Sequence, residues 1–152
     1  MPESLRSKLE RWGFNLFPAF RGTGARITYI ADDHREVRVV LPLSWRTRNY
    51  VGTIFGGSMY GAIDGIHIVM LMKSLGSAYQ VWDKAASIRF RKPGRSTLYA
   101  HVTLAPEEPD AIRAALQTNH SIDRTYRVEL TDREGIVHAE IEKIVHFRRR
   151  AT

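Results

Sequence analysis

The segment from Gly56 to Leu75 constrains the fold more than any other part of the chain. Met59, Ile63, Ile66, Met70 and Leu75 recur at helical spacing, and Tyr60, Ala62, Ile68, Val69, Leu71 and Met72 make the rest of the surface apolar too. A helix that is apolar on nearly every side is buried on nearly every side. In a chain of 152 residues, the simplest cover is one antiparallel sheet wrapped around that helix. The most apolar part, Ile63 to Leu75, is too short to span a bilayer and is interrupted by Asp64, His67 and Lys73.

The flanking sequence supplies the strands. Ala25 to Ala31 and Glu36 to Leu41 alternate and read as a hairpin about Asp32-Asp33-His34. Pro42 to Thr53 has no period and reads as a loop. Ala86 to Arg91 and Thr97 to Leu104 alternate on either side of the Pro93-Gly94 turn. Pro109 to Gln117 reads as a short helix starting at Asp110. Tyr126 to Thr131 and Ile136 to Phe147 form a last hairpin around Asp132 to Gly135. At the start, Leu5, Leu9, Trp12 and Leu16 share one face of a helix over Ser4 to Phe17, ended by Pro18 and Gly22. The expected class is α+β in a single domain over 1–152. Residues 1–22 form a helical N-terminal segment and 148–152 a basic tail. Unpaired sheet edges predict a homodimer or a larger oligomer.

Composition excludes several chemistries. With no cysteine, the chain has no disulfide framework, no Cys-ligated zinc and no thiol nucleophile. The charged N-terminus lacks the apolar core of a signal peptide, so a soluble, cytoplasmic protein without a membrane span is expected. The net charge of +7 favours an anionic partner or is simply a solvated basic surface. No nucleic-acid recognition motif accompanies it, so no specific nucleic acid is expected.

Candidate chemistry gathers at the start of the apolar helix. Gly56-Gly57-Ser58 carries no Cβ at its first two positions, so backbone can approach a ligand closely. The first N–H groups of a helix lack internal acceptors and suit a carbonyl oxygen that gains charge. A tight loop-to-helix turn explains the same glycines. Asp64 stands among Ile63, Gly65, Ile66 and Ile68, where a carboxylate needs a partner or a role as nucleophile or general base. A structural carboxylate bonded to backbone or to another subunit is the alternative. His67 follows three residues on; no second ligand pair supports a metal, and a core histidine is the simpler reading. Ser58 fails the G-x-S-x-G spacing, and Gly22-Thr23-Gly24 leads into a strand rather than a helix, so neither is a nucleophile elbow nor a dinucleotide loop. Lys84, Arg89, Arg91, Lys92 and Arg95 form a basic cluster suited to phosphates or to solvent.

The order Asn49, Phe55-Gly56-Gly57-Ser58, Ile63-Asp64 resembles the hotdog-fold thioesterases of the phenylacetate-degradation type. Their motif reads Asn, a short loop, His-Gly-Gly-Ala, then Leu-Ala-Asp in the central helix. The spacing matches at Asn49, Gly56, Gly57 and Asp64. Ser87 to Gly94 resembles the family's strand ending in Pro-Ala or Pro-Gly. The resemblance covers about Ala25 to Phe147 and is closer still to an uncharacterised branch of that superfamily.

The resemblance implies a hotdog fold, with one long central helix, assembled as a dimer or a dimer of dimers and acting on an acyl-CoA or acyl-carrier thioester. It implies no cofactor beyond the coenzyme A of the substrate. Gly57 would polarise the thioester carbonyl through its N–H, Asp64 of the partner subunit would be nucleophile or base, and Asn49 would orient the loop or the attacking water. Phe55, Gly56, Ser58, Lys84, Arg89, Arg91 and Lys92 would contact substrate. One departure stands out: the family's His is Phe55 here. A binder of acyl-CoA or another hydrophobic ligand, without catalysis, is therefore the rival expectation. Asp83 lies near a position where some members carry Ser, with no role assigned to it.

Overall fold

The computed structural model describes residues 2–151. Two helices, α1 (Leu5–Leu16) and α2 (Pro18–Gly22), precede strands β1 (Arg26–Ile30) and β2 (Glu36–Leu41). Helices α3 (Gly56–Gly61) and α4 (Ile66–Leu75) follow, then β3 (Tyr79–Phe90) and β4 (Leu98–Thr103). Helix α5 (Glu108–Thr118) leads into β5 (Ser121–Thr131) and β6 (Val137–Arg149). All six strands join one antiparallel sheet in the order β1-β2-β4-β5-β6-β3. No helix is long and apolar enough to cross a membrane among the described residues.

Strand alternation builds the core. Val37, Val39 and Leu41 of β2, Leu98, Ala100 and Val102 of β4, and Ala139, Ile141, Val145 and Phe147 of β6 are all buried. They meet Met59, Ile63, Ile66, Met70, Leu71 and Leu75 from the helical segment. The sheet continues through Arg148 and Arg149, which pair with Gln80 and Tyr79, so the basic run from Arg148 begins inside a strand.

Two expectations for the apolar segment change. The single helix from Gly56 to Leu75 is two helices. The Ile63 N–H turns back to the Tyr60 carbonyl, and Gly65 takes a φ of 76°, a left-handed conformation that ends one helix and starts the next. Nor is the segment covered all round: Met72 and Lys73 are exposed and Val69 is half-buried. The apolar face of α1 also turns outward. Its polar side faces the sheet because Asn15 accepts from the Ile27 N–H and donates to the Ile27 carbonyl. Glu3 accepts from Ile30. Together they satisfy backbone groups on the free edge of β1. The opposite edge, β3, pairs only with β6 among the described residues and is longer than its alternating part suggested.

Candidate functional site

The loop before α3 is held by its own polar groups. Asn49 Oδ1 accepts from the Val51 and Thr53 N–H groups, and its Nδ2 donates to Thr53 Oγ1. The Phe55 N–H donates to Thr47, and the Ile54 N–H to Gly94. This sets Asn49 as the organiser of the loop. It also places Asn49, Thr53, Gly56, Met59, Phe90, Arg91 and Lys92 around one cleft of about 370 Å³.

The two glycines serve close ring contacts. A Cβ on Gly56 would lie 2.9 Å from the Phe90 ring, and one on Gly57 would lie 2.6 Å from the Phe55 ring. The Ser58 and Met59 N–H groups already donate to the Phe55 carbonyl, and Ser58 is buried. The N–H groups of Gly56 and Gly57 stand first in the helix, where no intrahelical acceptor exists.

Asp64 sits at the break between α3 and α4 rather than two turns into a continuous helix. Its side chain is 55% exposed, so it is not the buried acid its neighbours suggested. Beneath it lies a residue that the motif reasoning did not single out. Lys143 of β6 has no exposed side chain. Its Nζ is 2.7 Å from Asp83 Oδ2 and 3.5 Å from Asp64 Oδ1. The Asp83 contact is an ion pair without hydrogen-bond angles, and Asp83 Oδ1 has no hydrogen-bond partner among the described residues. Tyr60 completes the group: its hydroxyl donates to Asp64 Oδ1 over 3.5 Å, and Nζ of Lys143 is 5.9 Å from its ring. Burial, then the charges of Asp64 and Asp83, push the Tyr60 hydroxyl up to about 12. The signal for Lys143 is its phase: residues 139, 141, 143, 145 and 147 all point inward.

His67 is buried and stacks on Tyr126 with ring centroids 5.0 Å apart. Burial, aided by the charge of Lys143, brings its pKa down to about 4, so it is neutral at pH 7. It forms no hydrogen bond with Asp64.

The basic cluster is divided. Arg91 and Lys92 border the Asn49 cleft, although Arg91 also pairs with Glu140 at 2.8 Å. Lys84 pairs with Asp123 at 2.8 Å, and Arg89 borders a separate surface with Arg127 and Glu142. The candidate residues thus form two groups in one chain. One is Asn49, Phe55, Gly56 and Gly57 with Arg91 and Lys92; the other is Asp64 with Tyr60, Asp83 and Lys143. A separate, mostly apolar cavity of about 270 Å³ is lined by Phe14, Ile27, Val37, Ile66 and Met70, with Glu10, His34 and Lys73 at it too, and includes none of these candidate residues.

A family model described as "Domain of unknown function (DUF4442)" matches residues 6–145. No curated protein matches the chain. Among solved structures, a protein of unknown function from Pseudomonas aeruginosa, described as a probable thioesterase, superposes with a TM-score of 0.85 at 21% identity over 99% of each chain. A thioesterase from Haemophilus influenzae gives 0.69 at 13% identity, covering 98% of this chain and 93% of its own. A hypothetical thioesterase with coenzyme A from Streptococcus pneumoniae gives 0.60 at 17% identity, covering 94% and 99%. These similarities establish a shared fold.

Proposed function

The chain belongs to the DUF4442 family, and from that premise we propose that it hydrolyses an acyl-CoA or acyl-carrier thioester at a site completed by a second copy of itself. One observation carries the reading. Asp64 is a solvent-reaching carboxylate with its back against a fully buried lysine. A carboxylate so oriented suits attack on, or proton removal beside, an activated carbonyl.

In the general-base course, Asp64 takes a proton from water as the oxygen adds to the thioester carbonyl. The carbonyl oxygen gains negative charge and is met by the Gly57 N–H. The C–S bond then breaks, and the sulfur leaves as a thiol carrying that proton. In the nucleophilic course, Asp64 adds to the carbonyl carbon, and the C–S bond breaks to release a thiolate that takes a proton from water. A water molecule then opens the anhydride to give the free acid and the regenerated Asp64 carboxylate. Asn49 keeps the Gly56-Gly57 loop in place through its three hydrogen bonds. Arg91 and Lys92, beside the cleft, suit the phosphates of coenzyme A.

Two further facts support the assignment. The resemblance at Asn49, Gly56, Gly57 and Asp64 lies at these same positions, and a structural neighbour was crystallised with coenzyme A. Asp64 and Gly57 share no polar contact within one chain, which fits a site divided between subunits related through the open β3 edge.

The rival reading, a binder without turnover, rests on Phe55. The Phe55 ring lies on Gly57, and it is at position 55 that the resembling family has a histidine. Free-thiol release from a panel of acyl-CoAs, alongside direct binding of the same panel, separates the two. Turnover of at least one chain length supports hydrolysis; tight binding with no thiol released from any supports the rival.

A further inference from the structure

We propose that the outer face of α1 docks the protein onto anionic lipid bilayers. Leu5, Leu9, Trp12 and Leu16, with Phe17 just beyond, form one stripe, and each is at least 60% exposed. Helices normally bury such a stripe. Here the opposite side is occupied: Ser7 is buried, Phe14 meets Phe20, and Asn15 closes the edge of β1. The apolar side is therefore left outward by construction.

Charge selects the occupant. The acids of this segment are turned inward: Glu3 holds Arg11 at 2.7 Å, and Glu10 holds His34 and, at 2.9 Å, Lys73. Arg6 and Lys8, which flank the stripe on α1, and Arg21 on α2 are exposed. Of these, only Arg6 pairs with an acid among the described residues, at 3.4 Å from Glu10. An apolar stripe holding Trp, Leu and Phe and flanked by bases is the composition of a helix lying in a lipid interface. A net charge of +7 adds long-range attraction to a negative surface.

A second copy fits less well. The twelve residues of α1 make a rod about 18 Å long. Two such rods side by side bury far less than the ~1,200 Å² of a stable interface. The stripe also flanks β1, at the opposite end of the strand order from the open β3 edge, so it does not extend an interface built there.

The test is co-sedimentation of the full chain with phosphatidylcholine–phosphatidylglycerol vesicles and with pure phosphatidylcholine vesicles. Binding is expected to be about tenfold or more tighter to the anionic vesicles and to weaken with salt. Leu9→Glu/Trp12→Glu, at exposed positions, is expected to lose it with an unchanged melting temperature. Lys8→Glu/Arg21→Glu keeps the stripe and is expected to lose only the anionic preference. No binding to anionic vesicles overturns the proposal, as does wild-type binding by Leu9→Glu/Trp12→Glu. So does a wild-type oligomer that Leu9→Glu/Trp12→Glu converts to monomer without vesicle binding. Acyl-CoA hydrolysis is not read in any arm, so this outcome is independent of the thioesterase reading.

Discussion

Lys143 has no exposed side chain and carries its charge between two carboxylates. Taking an ammonium out of water is costly, and the cost is met only while its partners stay. Lys143→Met is therefore expected to destabilise the fold by about 3 kcal/mol, because Asp83 is left facing an apolar neighbour. Asp83→Leu/Lys143→Met is expected to recover most of that loss, as read by chemical denaturation. His67 adds a pH dependence. Its folded-state pKa of about 4 lies below the ordinary 6.5, so folding favours the neutral form. That contribution is complete above pH 6.5 and is lost as pH falls toward 4. Melting temperature is thus expected to drop between pH 7 and about pH 5, and His67→Gln to flatten the drop. At this scale the sequence was partly legible. Asp64 stood out by its neighbours and by family spacing. Lys143 did not, because a lone lysine in a strand reads as surface until its phase is compared with Ile141 and Val145.

The apolar segment breaks at Gly65. This left-handed glycine directly follows Asp64, whose carboxylate is 55% exposed at the junction of the two helices. Gly65→Ala meets open space, so its cost is purely conformational. It is expected to lower stability by about 1 kcal/mol in denaturant unfolding. Periodicity found the helical residues on both sides of this break but not the break itself, since apolar spacing carries no information on φ. The same limit applies to α1, where the pattern named the residues that share a face. Which face turns inward depended on Asn15 and Glu3 reaching the β1 backbone, a long-range fact. The inner faces of β2, β4 and β6 were legible because burial on one side forces alternation. Tyr79 to Lys84 of β3 was not, because an edge strand with little buried surface has no such constraint.

The whole molecule leaves two surfaces at opposite ends of its strand order. The α1 stripe lies beside β1, and β3 offers an unpaired edge of 12 residues. A long open edge invites another strand. Pairing there by a second copy would double the 17.4 kDa chain and bring a second set of site residues within reach. Sedimentation equilibrium is expected to give at least twice the chain mass; a monomer at all concentrations would remove the shared-site geometry. The proposed chemistry itself turns on Asp64. Thiol release from acyl-CoA should be compared between the wild-type chain and Asp64→Asn, which keeps the side chain's shape. The prediction is a loss of turnover of about 100-fold or more with acyl-CoA binding and melting temperature retained. Full turnover by Asp64→Asn would contradict the account.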